Sequence, residues 1–245
     1  MESAVMSSMR LDKLLANTGV GTRSEVKNMI RGGRVSVNGE TVRKPEQKVD
    51  DQTDRILADG REICYTRYEY YMYHKPSGCV SATRDPRDRT VMDDLALPRK
   101  EDFFPVGRLD KDTEGLLLIT NDGDLAHRLL SPAKHVDKTY FVRVRGRLLA
   151  EHVKLFEEGM DIGDEKPTLP AVLKIQKSGE ESEAEVTIQE GRFHQVKRMF
   201  AAAGCEVTYL KRLSMGGVVL DENLEKGNYR PLTERELERL RTGKN

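Results

Sequence analysis

An α+β chain in two parts is what the 245 residues predict, and three patterns carry that expectation. Near the N-terminus, a compact basic segment holds two short helical patterns followed by a hairpin. Beyond about residue 68, strand patterns alternate irregularly with helical ones, separated in places by turns and in places by helices. That alternation argues for a mixed sheet rather than a doubly wound parallel one. No internal repeat or low-complexity segment interrupts the order, and the length suits a small domain joined to a larger one.

Each element has its own signal. Leu11, Leu14 and Leu15 in RLDKLLAN stand at helical spacing. Thr22 and Glu25 in TRSE have capping-box spacing, so a second helix is expected from there to Gly32-Gly33. VSVNGETV alternates around Asn38-Gly39, a strong hairpin signal. A polar acidic stretch follows, with a turn at Asp59-Gly60. The expected division is a tail over 1–8, a domain over 9–60, a linker over 61–67 and a second domain over 68–245.

In that second domain YEYYMYHK reads as a strand. The apolar run LLLIT reads as a buried strand after the loop FPVGRLDKDTEG. LAHRLL is expected as a helix capped by Asp124. TYFVRVRG alternates as a strand, LLAEHVKLFEEGM has helical spacing, and VLKIQKS and AEVTIQE are strands about Ser178-Gly179. HQVKRMFAAAG is expected as a helix closed by Gly204, with Phe193, Val196, Met199 and Phe200 turned to the core. LTERELERL is a last helix with a second capping box, Thr233 and Glu236.

Composition narrows the function. Lys+Arg and Asp+Glu balance at 41 each, yet the charge is segregated. Arg10 to Lys48 holds nine basic residues against four acidic, Glu151 to Glu190 four against eleven, and Arg192 to Arg212 five against one. Two basic islands in a neutral chain suit a protein that meets a polyanion with chosen faces; ordinary surface charge is the equal alternative. In the first island Arg10, Lys13, Arg23, Lys27 and Arg31 occupy helix positions the apolar residues leave free, with Arg34 just beyond. No apolar run approaches the roughly 18 residues of a membrane span, and Met1 to Ser8 lack a secretory pattern. Cys64, Cys79 and Cys205 lie far apart, which argues against a zinc site or a disulfide framework. A soluble, cytoplasmic protein without a metal is expected.

Three segments could carry chemistry. In GRLDKDTEGLLLITNDG, Asp110 stands two residues from Arg108, a cation able to hold a carboxylate nucleophile ionised; a solvated turn with capping aspartates is the commoner use of such a loop. Asp110, Asp112, Glu114 and Gly115 also match positions one, three, five and six of a calcium loop, but Asn121 stands at the twelfth and the flanks are not helical, so that reading fails. In EGRFHQVKRMF, the residues Arg192, His194, Lys197 and Arg198 gather at a helix start, where side chains and dipole together cradle anions. An exposed lysine and a core histidine are the plain alternatives. Tyr140, in an alternating strand, is either a packing residue or a platform for an unstacked base.

In this order the segments resemble a known family. GRLDKDTEGLLLITNDG is similar to the signature of the RsuA-type pseudouridine synthases, bacterial enzymes that isomerise uridine in ribosomal RNA. HKPSGCVSA, HVDKTY, EGRFHQVKRMFAAAG and GNYRPLTEREL stand around it as that family has them. RLDKLLANTGVGTRSEVKNMIRGGRVSVNGE resembles the RNA-binding module named after small ribosomal subunit protein S-four. The resemblance spans about Arg10 to Leu240, and LPAVLKI with EGRFHQVKRMF and PLTEREL lies closer to the small-subunit enzymes than to the large-subunit ones. It implies an S-four-like domain followed by a mixed, largely antiparallel-sheet catalytic domain. It implies Asp110 as nucleophile, Tyr140 stacked on the base, Lys197 as the basic partner of Asp110 (an arginine in related subfamilies), and Arg108 positioning either the aspartate or the displaced strand. Whether Asp110 attacks ribose or uracil, or acts on the sugar as a base, stays open. The implied partners are ribosomal RNA or a partially assembled small subunit, with Arg192, His194 and Arg198 joining the N-terminal cations as RNA contacts. No cofactor, metal or membrane is implied, and a monomer is the default. A large-subunit enzyme and a non-catalytic assembly factor are the alternatives.

Overall fold

The computed structural model describes residues 8–51, 53–63 and 65–243, and the chain divides between Tyr68 and Glu69 into two compact units. The expected N-terminal tail lies outside the described residues up to position 7, as does Cys64.

In the first unit, β1 (Ser8–Arg10) leads into α1 (Leu11–Asn17), α2 (Arg23–Arg31), β2 (Val35–Val37), β3 (Glu40–Val42), β4 (Lys48–Asp50), β5 (Ile56–Ala58) and β6 (Arg61–Glu62). Ser8, expected in the tail, is therefore part of a strand, which pairs with β4. The capping box of α2 forms: Thr22 Oγ1 accepts from the Glu25 amide at 3.3 Å, and Glu25 Oε2 accepts from the Thr22 amide at 2.7 Å. Leu11, Leu14 and Leu15 pack on Val26, Ile30 and Val35 in one core. Asn38 and Gly39, with φ of 52° and 88°, turn β2 into β3 through the doubly left-handed pair that suits a two-residue hairpin. Asp59 and Gly60 repeat the device at 49° and 76°. The chain therefore doubles back, and Arg61–Glu62, expected in a linker, adds a fourth strand in the order β3-β2-β5-β6. Ile63 and Tyr65 also pack on this core.

The second unit comprises β7 (Tyr70–Lys75), β8 (Phe104–Pro105), β9 (Glu114–Thr120), α3 (Gly123–Leu130), β10 (Lys138–Arg145), α4 (Ala150–Glu158), β11 (Val172–Lys177), β12 (Glu181–Ile188), α5 (Gln195–Ala202), β13 (Glu206–Met215), β14 (Val218–Val219), β15 (Tyr229–Pro231) and α6 (Glu234–Thr242). Its sheet runs β11-β12-β10-β13-β9-β7-β15, with β8 and β14 paired at the side. Every pairing is antiparallel except β13 with β9, which meet in parallel at Lys211–Arg212 against Glu114–Gly115. That junction needs Gly115. Its φ is 104°, and a Cβ there would stand 2.2 Å from the Arg212 carbonyl oxygen.

The apolar run of β9 is buried throughout because helices cover both faces. Leu117 and Ile119 join the core that holds Phe156 of α4 and Phe200 of α5. Leu116 and Leu118 join the one that holds Leu125 and Leu129 of α3 and Leu237 and Leu240 of α6. The cap of α3 is Asp122 rather than Asp124. Its Oδ1 accepts from the amides of Asp124 and Leu125 at 3.1 and 3.0 Å, and Asp124 falls in the first turn.

Residues 75–81 clamp the loop that precedes β9. Lys75, at the end of β7, is fully buried. Its ammonium donates to the carbonyls of Pro76, Asp110, Lys111 and Thr113 at 3.1, 3.0, 3.3 and 2.8 Å, and burial lowers its pKa below the ordinary lysine value. The Gly78 amide donates to the Lys111 carbonyl at 2.7 Å. Ser81 Oγ donates to the Leu109 carbonyl at 2.9 Å and accepts from its amide at 3.0 Å.

Four substitutions test these contributions to stability. Gly115→Ala is expected to cost about 3 kcal/mol or more, since the added carbon meets backbone at a positive φ. Gly123→Ala, with nothing within 4 Å of the new carbon, should stabilise α3 by up to about 1 kcal/mol; urea unfolding compares them. Lys75→Met should destabilise by about 2 kcal/mol, because buried carbonyls lose their donor. Amide exchange should then rise over 109–113 while β9 stays protected. Glu236 is pulled down to about 2, first by its bonds to Arg230. Its folded pKa lies below the unfolded one, so its stabilisation is full above about 4.5 and is lost as pH falls toward 2. Glu236→Gln should therefore lower stability by up to about 3 kcal/mol at pH 7, a difference that shrinks through that acid window in urea titrations.

Candidate active site

The clamped loop holds Asp110 opposite the start of α5. Lys197 Nζ lies 3.1 Å from Asp110 Oδ2 and 2.6 and 2.9 Å from the two oxygens of Asp112. His194 Nε2 stands 3.5 Å from Asp110 Oδ1. One ammonium thus bridges two carboxylates. Burial pulls the Lys197 pKa down, but its bonds to Asp112 and Asp110 outweigh that, and it stands above the ordinary lysine value. Partial burial pushes Asp112 up, yet Lys197 overrides it and holds the carboxyl below the usual range. Asp112 entered the sequence reading only as a position of the rejected calcium loop. Its alternate spacing from Asp110 was the one available hint that both carboxylates could serve a single cation.

Tyr140 is 7% exposed on β10 and lines the same cleft, of about 70 Å³, as Asp110, His194 and Lys197. Ile188, Val196 and Leu210 make its apolar wall. The pairing of β10 with β13 slips beside this tyrosine, from Thr139 against Ser214 to Tyr140 against Arg212; such a bulge re-aims side chains. An apolar slot with an aromatic side and a carboxylate–ammonium pair at one end suits a flat ring that must meet a charged group.

Thr113 also lines the cleft. Its side chain is buried, and Oγ1 has no hydrogen-bond partner among the described residues. Sequence reasoning missed it, as it missed Lys75, because a threonine in a loop and a lysine ending a strand look solvated until the fold buries them.

The other expected contacts divide. Arg108 is exposed and lines the same cleft as Asp110, with no hydrogen bond or ion pair between the two side chains. Arg192 and Arg198 are held within the fold. Arg192 binds Glu190 at 2.9 Å, Asp164 at 3.3 Å and the carbonyls of Lys166 and Pro167 at 2.6 and 2.7 Å. Arg198 binds Asp164 and the carbonyls of Ile162 and Phe193. The acidic segment before α5 neutralises these two cations, which the local charge count could not show. Phe193, expected in the core, is instead 75% exposed, because it precedes α5 and does not share the helix's inner face. In the first unit Arg10 is spent on Asp12 in a bidentate pair at 3.0 and 2.8 Å, and Arg34 on Asp59. Lys13, Arg23, Lys27 and Arg31 make no ion pair with the described residues. No group of three or more His, Cys, Asp or Glu among the described residues is placed to hold a metal ion, and no described helix is long and apolar enough to cross a membrane.

Comparison with known proteins agrees with this layout. Residues 69–202 match the family model for RNA pseudouridylate synthase, and residues 9–56 match that of the S4 domain. The chain is 48% identical over 236 residues to an uncharacterized RNA pseudouridine synthase, YtzG, of Bacillus subtilis, covering 95% of this chain and 98% of the relative. It is 41% identical over 231 residues to ribosomal small subunit pseudouridine synthase A of Escherichia coli K12, covering 94% and 98%. A crystal structure of a pseudouridylate synthase superposes with a TM-score of 0.67 at 39% identity, covering 95% and 99%. The chain belongs to the RNA pseudouridine synthase family, and carries that family's catalytic domain behind an N-terminal S4 domain.

Proposed function

We propose that this enzyme isomerises a uridine of small-subunit ribosomal RNA to pseudouridine, with Asp110 as the nucleophile. The observation that carries the reading is the convergence of Asp110, Tyr140 and Lys197, far apart in sequence, on one cleft. The relatives named as small-subunit synthases support the substrate. In the reaction the bond from ribose to uracil nitrogen one breaks, the base turns, and ribose rejoins at carbon five. Carbon five loses a proton and nitrogen one gains one, so no co-reactant is consumed. Asp110 supplies the carboxylate, Lys197 the adjacent positive charge, and Tyr140 the face on which the ring rests while it turns. A stacked uridine cannot reach this cleft, so the nucleotide is flipped out or met single-stranded. The unpaired cations Lys13, Arg23, Lys27 and Arg31 of the S4 domain supply phosphate contacts that hold the RNA without reading its sequence.

Tritium release from RNA labelled at carbon five of uridine tests the reaction, with small- and large-subunit RNA each assayed protein-free and as partially assembled particles. Release from the small-subunit substrates is expected. Asp110→Asn should reduce it by about 10³-fold or more and Lys197→Met by about 10²-fold, while Lys197→Arg, which keeps the charge, should lose less. Release from large-subunit RNA alone would move the target. Tight binding without release from any substrate would make the protein an assembly factor. For the S4 domain, Arg23→Gln with Lys27→Gln should flatten the dependence of log affinity on log salt by about 1 per lost phosphate contact; an unchanged slope would remove these residues from the interface.

A further inference from the structure

We propose that Phe193, stacked on His194, is a platform for the nucleobase that neighbours the target uridine in the RNA strand. The inference rests on the isomerase reading above and extends it to how the flanking strand is held. Six large apolar side chains are exposed among the described residues, and Phe193 is both the sole aromatic among them and the most exposed, at 75%. It also stands beside the cleft. Its ring lies parallel to that of His194, with centroids 3.8 Å apart and planes 18° apart, and His194 lines the cleft with Nε2 3.5 Å from Asp110 Oδ1. The two rings therefore form a short stack that begins at the nucleophile and ends at an open phenyl face.

The backbone fixes that stack. His194 caps α5 in the left-handed region, with φ of 50°, whereas Thr22 and Thr233 cap their helices in extended conformations. Arg198 holds the Phe193 carbonyl at 3.0 Å, and the Arg192 amide donates to Gln195 Oε1 at 2.9 Å. An aromatic ring held in place with one face covered loses little freedom on accepting a second ring. The chemistry of the occupant follows from the reaction. Flipping a uridine leaves each adjacent base one stacking partner short, and a phenyl face at the rim of the receiving cleft restores one. Phenylalanine has no polar edge, so the platform adds affinity and orientation without reading which base arrives.

The chain contains no tryptophan, so Phe193→Trp introduces a single indole at the platform. Protein-free small-subunit RNA titrated into this variant is expected to quench its emission, with a midpoint equal to the Kd from filter binding. Tritium release should stay near wild type for Phe193→Trp and Phe193→Tyr. For Phe193→Ala and Phe193→Leu, kcat/KM should fall about 10- to 100-fold, carried mostly by KM. Leucine keeps much of the apolar surface but lacks a face to stack, and the urea midpoints of all four variants should match wild type because the side chain is exposed. Wild-type kcat/KM in Phe193→Leu, or unquenched emission from an active Phe193→Trp enzyme, overturns the platform. Quenching by partially assembled particles but not by protein-free RNA also overturns it, and assigns the ring to a protein contact. Failure of the wild type to release tritium from any RNA sinks the isomerase reading instead, while the quench still reports whether a base stacks on residue 193.

Discussion

Two sheet segments meet in parallel where β9 passes β13, and the site depends on how closely they do so. At Gly115 the backbones approach within a distance that no side chain allows. This contact joins the strands carrying Tyr140 to those carrying Lys75, in a sheet whose other pairings are antiparallel. The loop ending at Gly115 is thereby brought to the N-terminus of α5. Lys75 then gathers three carbonyls of that loop under one buried ammonium. The position of Asp110 is thus set by backbone contacts on its own loop, which leaves its carboxylate to face Lys197 and the cleft.

Charge is handled by pairing at each scale. A single ammonium serves Asp110 and Asp112, so a carboxylate can be kept in a cleft that must also admit a polyanion. Around α5, Asp164 and Glu190 occupy Arg192 and Arg198, which turns those arginines into struts for the segment carrying Phe193 and His194. In the S4 domain Asp12 and Asp59 occupy Arg10 and Arg34, whereas Lys13, Arg23, Lys27 and Arg31 make no ion pair among the described residues. A neutral chain can therefore be locally basic where RNA is met.

Much of the fold was legible because its signals are local. The capping boxes at Thr22 and Thr233 depend on residues three apart, the turn at Asn38-Gly39 on two adjacent residues, and the alternation of β10 on one strand with a single covered face. Some local signals were misplaced. Asp124 was expected to cap α3, and Asp122, two residues earlier, takes the role. Asp59-Gly60 was readable as a turn, but not as a hairpin, since its second strand is only two residues long.

By itself, the sequence determined the six helices, the hairpin at Asn38-Gly39 and the strands with a clear alternation or apolar run, though not β13, and which motifs belong to the RNA pseudouridine synthases. Secondary structure and motif order are written in neighbouring residues, so the chain alone could carry them. The tertiary structure decided which charges are paired inside the protein and which are not. Arg192 and Arg23 look alike in sequence, and only the acidic loop packed against one of them tells them apart. It also decided that Lys75 and Thr113 are buried at the loop, and that Phe193 faces outward. Burial and pairing are properties of residues brought together from distant positions, and no local pattern encodes them.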